Sequence, residues 1–448
     1  MKERGQFSSR LGFVLAAAGS SVGLGNIWRF PYLAAEYGGG AFLLMYIVFV
    51  LTLGFAIMIA EIAIGRKTKL SPICAYETLN KKYSFIGVIV AVISFLVISY
   101  YSVIGGWVIK YFVTYVSGGH AAEDTFFQQF ISQPVEPVVW QIVFILITAV
   151  IVWKGVEKGI EKVNKILMPV LILLSIGVAV YSVTLPGAWE GVKYFILPDF
   201  SDFSMNGVLA ALGQMFYSLS LSMGVMVTFG SYLNKKANIE KSVKMIEFFD
   251  VSVAILAGFM VIPAVFVFSG GNQDALNAGP GLMFVTLPKV FHTMGLSRVI
   301  GSVFFLLVFF AALTSAISIT EAAVSTFCDR FHTSRRKAIT IVAVLTLLLG
   351  IPSSLGYGVW DSVKLLGMTI LDFVDFLTNA VMMPLGALLT SIFVGWIIGV
   401  KPISQEIKIS SEFRQQKMFE MIIRYIAPVV IVLILISSVL NAFGIITL

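Results

Sequence analysis

The chain has 448 residues, of which 58% are hydrophobic and only 12% charged. Soluble domains carry about a quarter of their residues as charges, so this balance excludes one and defines a polytopic membrane protein. The formal net charge of +7 is no nucleic-acid footprint, because the basic residues are spread loop by loop instead of gathered in one patch.

Eleven apolar segments of spanning length follow one another, at about 11–34, 40–65, 84–116, 137–153, 163–185, 206–233, 243–268, 295–327, 337–351, 370–399 and 420–446. No gap between them holds a soluble domain. Met1 to Arg10 is short, polar and continuous with the first span, which does not read as a cleavable signal peptide. Lysines and arginines fall at the N-terminus (Lys2, Arg4, Arg10) and in every second loop, as in Arg66, Lys67 and Lys69 or Lys154, Lys158 and Lys162. The positive-inside rule therefore predicts a cytoplasmic N-terminus and, after an odd number of spans, an extracytoplasmic C-terminus in a multi-pass plasma-membrane protein.

Span one contains Gly19-Ser-Ser-Val-Gly-Leu-Gly-Asn-Ile-Trp-Arg-Phe-Pro31. Each glycine costs about 1 kcal/mol of helix relative to alanine. An arginine at bilayer depth costs at least ~2.5 kcal/mol. Irregular backbone at that depth is tolerated only where protein, ligand or ions satisfy it, so the segment reads as an ion and solute site. Five spans on, Gly213-Gln-Met-Phe-Tyr-Ser-Leu-Ser-Leu-Ser-Met-Gly224 sets Ser218, Ser220 and Ser222 between leucines. By itself this segment could be a regular helix whose serines bond to its own backbone. Paired with the broken first span, it reads as a second interruption. Repeats with discontinuous helices in corresponding positions are the plan of secondary transporters. The predicted fold is all-α: eleven transmembrane helices in a 5+5 inverted repeat with helices 1 and 6 broken, plus one extra C-terminal helix. Its units are residues 1–185, 206–399 and 400–448.

The loop from Ser269 to Gly295 is either a re-entrant lid or an ordinary surface loop. Among intramembrane ionisable groups, Arg29 needs an acid, and Asp372 and Asp375 at the start of span ten are the candidates. Glu61, near the end of span two, is either a solvated helix-end acid or functional. Asp250 stands at the start of span seven, and Glu321 lies deeper in span eight. The adjacent hydroxyls of Thr314 and Ser315 suit a hard monovalent cation, or else bond to their own helix. Cys74 and Cys328 read as free thiols. His120, His292 and His332 have no ligand spacing, so no zinc-type site is expected. No nucleophile–base constellation appears, so the protein is not read as an enzyme.

The span-one motif, with Gly38-Gly-Gly-Ala-Phe42 after it, resembles that of the neurotransmitter:sodium symporters. It is most similar to their bacterial amino-acid branch, the leucine, tyrosine and multi-hydrophobic-amino-acid transporters. The likeness extends through span ten, and the family's usual twelfth span is absent. It implies two bound sodium ions. The first would use Ser21, Asn26, Ser218 and Asp250; the second would use Gly19, Val22, Ala311, Thr314 and Ser315. The implied substrate pocket is Ser20, Ser21, Gly25, Val97, Tyr101, Tyr217, Ser218, Ser220, Met223, Ser315 and Ile319, with Tyr101 on the substrate carboxylate. The implied outer gate is Arg29 with Asp375, closed over by Tyr101 and Tyr217. The inner gate is Arg4 with Asp329, near Ser231 and Tyr232. Gly159 to Pro169 matches the span-five element associated with inward release of the second sodium.

Three departures sharpen the expectation. Gly23 stands where monoamine carriers place an aspartate, so the substrate should carry its own carboxylate, as an amino acid does. Asp250 stands where chloride-dependent members have asparagine, which predicts chloride independence. Met223 replaces a phenylalanine, and the flexible methionine should admit larger, aromatic side chains. The expected function is sodium-coupled symport of hydrophobic L-amino acids by alternating access, with lipid bilayer, sodium and amino acid as the partners. The alternative is a sodium-dependent amino-acid sensor that binds without transport; a channel would instead need a continuous polar stripe. The sequence leaves the oligomeric state open.

Overall fold

The computed structural model describes residues 5–119, 121–123, 125–270, 281–293 and 296–442. Arg4 and His120, both named above, lie outside them. Helices dominate, and no β-strand occurs among the described residues. Nine of the described helices are long and apolar enough to cross a membrane. They are Gly40–Thr68, Lys81–Ser117, Glu136–Trp153, Val156–Val183, Ile239–Ser269, Ser297–Phe331, Arg335–Leu355, Ile370–Ile397 and Gln416–Leu440. Span one is a tenth, formed by Arg10–Ser21 and Gly25–Glu36 bent at 49°. Span six is Met205–Ser218 and Val225–Tyr232, separated by six irregular residues. With these two the order along the chain gives eleven spans, as predicted.

Burial separates the spans by role. From Gly12 to Ser21 every side chain of span one is buried, and so is all of Val225–Tyr232 in span six. Spans three (Lys81–Ser117) and eight (Ser297–Phe331) pack along each other and flank this pair. Spans four (Glu136–Trp153), nine (Arg335–Leu355) and eleven (Gln416–Leu440) lie at the edge, exposing Leu146, Leu348 and Leu433. Apolar side chains left exposed on a spanning helix face lipid.

Both interruptions follow from local chemistry. The first helix stops at Ser21, where Val22 leaves helical geometry (φ −79°, ψ 89°), and a π turn from Gly25 to Arg29 restarts the chain. Gly23 cannot be replaced cheaply, because a Cβ there would lie 2.5 Å from Ser315 Oγ and 2.9 Å from Tyr101 Oη. In span six the break runs through three left-handed residues, Ser220 (φ 52°), Ser222 (φ 59°) and Gly224 (φ 75°). Left-handed serines are strained, so surrounding contacts must hold them in place.

One position differs from the sequence expectation, and two open readings gain detail. Asp250 is not at the start of span seven but three turns inside it. The helix begins at Ile239, capped by Asn238 on the Lys241 N–H at 2.8 Å, and hydropathy windows clip such lysine-rich first turns. Glu61 is no solvated helix end: it is 1% exposed. The loop from Ser269 to Gly295 falls partly outside the described residues, and both of its readings stay open. Residues 271–280 are outside the described set, while Leu282–Thr286 and Leu287–Thr293 are helical, with Phe284 stacked on Phe127 and edge-on to Trp107.

Candidate functional site

The two breaks touch at mid-membrane depth. Ser20 Oγ donates to Ser220 Oγ at 3.1 Å, and Ser220 Oγ donates to the Ser20 carbonyl at 2.9 Å. From span eight, Ser315 Oγ donates to the carbonyls of Ser20 (3.0 Å) and Gly19 (3.2 Å). Glu61 Oε1 accepts the Ser222 N–H at 2.8 Å, and the Ser94 hydroxyl donates to the Met223 carbonyl. Carbonyls and amides freed by each break are thus partly satisfied by the opposite break and by spans two, three and eight.

Beside this contact Asp250 is fully buried. Its Oδ1 accepts from Asn26 Nδ2 (2.9 Å) and Ser218 Oγ (2.6 Å), and its Oδ2 accepts from Tyr46 Oη (2.5 Å). Every one of these donors is neutral, and no lysine or arginine forms an ion pair with Asp250 among the described residues. A carboxylate buried without a counter-charge is costly. A small hard cation held by oxygen donors meets that need, and carboxylate, hydroxyl and amide oxygens are what this cluster offers. Tyr46 was not foreseen; its only sequence signal is a phenol inside an apolar span.

Of the second expected ion site, Gly19, Ala311, Thr314 and Ser315 come together. Thr314 Oγ1 donates to the carbonyls of Phe310 (3.0 Å) and Ala311 (3.1 Å), while Ser315 turns toward span one. Span five adds a residue the sequence reading passed over. Asn164 is fully buried, its Nδ2 donates to the Ile160 carbonyl (2.9 Å), and its Oδ1 has no hydrogen-bond partner. A Cβ on Gly19 would fall 2.1 Å from that oxygen and 3.2 Å from Thr314 Cβ. The stretch from Gly159 to Pro169 remains helical, with a π turn from Val156 to Glu161.

The expected pocket residues Val97, Tyr101, Tyr217, Met223 and Ile319 are all buried. Tyr101 Oη accepts the Leu24 N–H at 3.2 Å. Toward one face, Arg29 lies over the Tyr217 ring, 5.4 Å from its centroid. Arg29 and Asp375 do not form a direct ion pair; Asp375 accepts from Asn379 Nδ2 at 2.6 Å. A cavity of about 230 Å³ opens beyond Tyr217, with Arg29, Tyr37, Asn206, Gly213 and Asn379 in its wall. Just past span one, burial and the neighbouring Glu36 charge push the Tyr37 hydroxyl up to about 12, so it stays protonated.

Toward the other face Phe7 seals the chain against span six. Its ring packs on Phe13, Phe229 and Tyr232, and its N–H donates to the Tyr232 carbonyl (3.3 Å). Glu161 accepts from the Ser8 N–H (2.7 Å) and hydroxyl (2.5 Å). Tyr232 Oη donates to Glu321 (2.7 Å), which pairs with Arg335 at 2.5 Å. Asp329 accepts the Ser71 N–H at 2.7 Å; its expected partner Arg4 lies outside the described residues. Neither Cys74 nor Cys328 is in a disulfide.

Two interrupted spans that meet at the midplane, between a closure on each side, define a secondary transporter of the inverted-repeat kind. The sequence profile of the sodium:neurotransmitter symporter family matches residues 4–123 and 127–445. The chain belongs to that family, whose members are transporters and not enzymes. It is 39% identical to YhdH, an uncharacterized sodium-dependent transporter of Bacillus subtilis, over 99% of this chain and 98% of that one. It is 34% identical to an uncharacterized sodium-dependent transporter of Haemophilus influenzae, over 98% of each. Among solved structures, MhsT in complex with L-phenylalanine superposes with a TM-score of 0.89 at 40% identity, covering 97% of this chain and all of that one.

Proposed function

We propose that this protein takes up hydrophobic L-amino acids, aromatic ones included, by sodium-coupled symport with two sodium ions and without chloride. The observation that carries the reading is Asp250, buried and met only by Asn26, Ser218 and Tyr46. Ser21, Asn26, Ser218 and Asp250 are the residues for the first sodium. Gly19, Val22, Ala311, Thr314 and Ser315 are those for the second. Sodium, when bound, supplies positive charge beside Asp250 and the substrate carboxylate, and the fixed Asp250 charge makes an added chloride unnecessary.

Span-one and span-six half-helices present freed N–H groups to the carboxylate and freed carbonyls to the ammonium, as their dipoles favour. Gly23 leaves no room for a side chain, so the negative charge must come from the substrate. The L-phenylalanine in the MhsT structure supports an aromatic amino acid, and Met223 supplies an adaptable wall. Alternating access then exchanges the Tyr217–Arg29 closure for opening at Phe7 and Tyr232. The alternation of basic loops supports a cytoplasmic N-terminus.

A thermal-shift screen of the amino acids with and without sodium tests binding. Counterflow of labelled amino acid in sodium-loaded proteoliposomes tests transport and separates it from sensing. Sodium and amino acid should each raise the other's affinity by the same factor. Amino-acid affinity indifferent to sodium would refute the reading.

A further inference from the structure

Between spans five and six the chain exposes an unusual density of large apolar side chains. The helix Ala188–Ile196 buries Gly191, Val192 and Phe195 but leaves Trp189 62% exposed. Leu197 (62%), Phe200 (68%), Phe203 (55%) and Met205 (66%) follow. None of these residues belongs to one of the nine uninterrupted spans, so lipid contact is not implied by topology alone.

Contacts with span seven give their depth. A Cβ on Gly187 would lie 4.0 Å from Val267, Gly191 lies against Pro263 and Phe266, and Phe195 lies against Gly258. The helix therefore descends along span seven toward the membrane centre. Taking Asp250 as the midplane level, and 1.5 Å per residue, Gly258 is about 12 Å and Val267 about 25 Å above it. Span two agrees. Tyr46 bonds Asp250, and Gly40, whose Cβ would lie 2.5 Å from the Leu197 carbonyl carbon, is about 9 Å above Tyr46. The hydrocarbon core extends about 15 Å from the midplane, and headgroups several ångströms beyond it. Leu197 is thus at acyl-chain depth and Trp189 at headgroup depth, while Phe200, Phe203 and Met205 lead from Leu197 into span six.

The exposed surface is also continuous with one that already faces lipid. Leu44, Val48 and Leu51 of span two are 43%, 48% and 50% exposed at helical spacing, and they run down from the Gly40 turn that Leu197 abuts. On span seven, Phe268 (42% exposed) follows Val267, the neighbour of Gly187 at the upper end. Aromatic side chains at headgroup depth are the pattern of interfacial anchors. Lys193, on the same face and paired with Glu190 at 3.0 Å, can snorkel outward.

We propose that residues 187–205 form an interfacial strap whose partner is the acyl–headgroup boundary of the outer leaflet. The strap grips the outer end of span one. Tyr194 Oη donates to the Ala35 carbonyl at 2.6 Å, and Pro198 bridges to Gly39. The outer half of span one is therefore tied to the bilayer surface as well as to the other helices.

Nitroxide labels test this in proteoliposomes of the full chain carrying Cys74→Ser and Cys328→Ser. Trp189→Cys, Leu197→Cys and Phe200→Cys are compared with Leu433→Cys on the lipid face and Lys236→Cys in a polar loop. Power saturation should give Leu197 a ratio of oxygen to nickel-chelate access several-fold above Lys236 and close to Leu433, and Trp189 and Phe200 ratios between the two. Nickel access equal to Lys236 would mean water covers the face and would overturn the proposal. Low access to both reagents with spin–spin broadening would mean a second copy covers it, which also overturns it. Should a cysteine variant fail to fold, brominated-lipid quenching of the unsubstituted chain against Trp189→Phe serves instead. The difference emission must be quenched; an unquenched difference refutes the strap.

Discussion

Glu61 on span two accepts the backbone N–H of Ser222 at 2.8 Å, clamping the broken sixth span from a helix outside the repeat contact of spans one and six. Ser222 needs such a clamp, because its φ of 59° is left-handed. Glu61→Ala leaves that buried N–H unsatisfied, a cost of about 1–3 kcal/mol. We expect a lower melting temperature and lost uptake, with the melting temperature restored by Glu61→Gln, which keeps an acceptor oxygen. An alanine variant that melts and transports like the parent would disprove the clamp.

The strain itself is measurable. A non-glycine residue in the left-handed region costs roughly 1–2 kcal/mol, and Ser222→Gly removes that cost while keeping the N–H that Glu61 accepts. The variant should melt at higher temperature than the parent in a thermal-shift assay. An unchanged or lower melting temperature would show that the serine hydroxyl, 3.4 Å from Glu61 Oε1, matters more than the backbone.

Asp250→Asn keeps the shape of the first site and removes its charge. An interaction with a charged group is worth about 1.5–3 kcal/mol, so the sodium concentration for half-maximal binding should rise roughly ten- to a hundredfold. Transport in chloride-free buffer should fall with it. If Asp250→Asn transports without chloride as well as the parent does, the carboxylate is not what replaces the anion.

Gly19 is pinned by sterics. An alanine Cβ there would come within 2.1 Å of Asn164 Oδ1, so Gly19→Ala should abolish sodium-dependent amino-acid binding. Adding Asn164→Ala removes the clashing atoms, and the double variant should recover part of the binding, a coupling that independent sites would not show. Equilibrium binding of radiolabelled amino acid reads both.

Met223 bears on substrate size. Met223→Phe fills the wall of the pocket with a larger, stiffer ring and should weaken aromatic relative to aliphatic amino acids by roughly tenfold or more, since pocket volume discriminates at about 1–3 kcal/mol per methylene. Competition binding of phenylalanine against leucine checks it. An unchanged ratio would place Met223 away from the substrate side chain.

Much of the fold is legible in the sequence because spans are set locally. Gly40–Thr68 and Ser297–Phe331 announce themselves through apolar runs bounded by lysine and arginine. The interruptions at Val22–Gly23 and Leu219–Gly224 were visible as glycine, asparagine and serine where helix and lipid both disfavour them. Tyr46 and Asn164 were not visible as parts of the site, and Glu61 was visible only as an intramembrane acid with two readings open. Each matters through a partner far away in sequence, as Glu61 does 161 residues from Ser222. Arg29 shows the converse: its need for an acid was legible, and the structure sets it over the Tyr217 ring, within electrostatic reach of Asp375 but without a direct ion pair.

The sequence by itself determined which segments cross the membrane and where two of them must break, because the free energy of moving a segment from water to lipid sums over that segment's own residues. Only the tertiary structure decided which groups answer the freed backbone and the buried Asp250 charge, because hydrogen bonds at 2.5–3.2 Å depend on how helices from distant parts of the chain are set against one another.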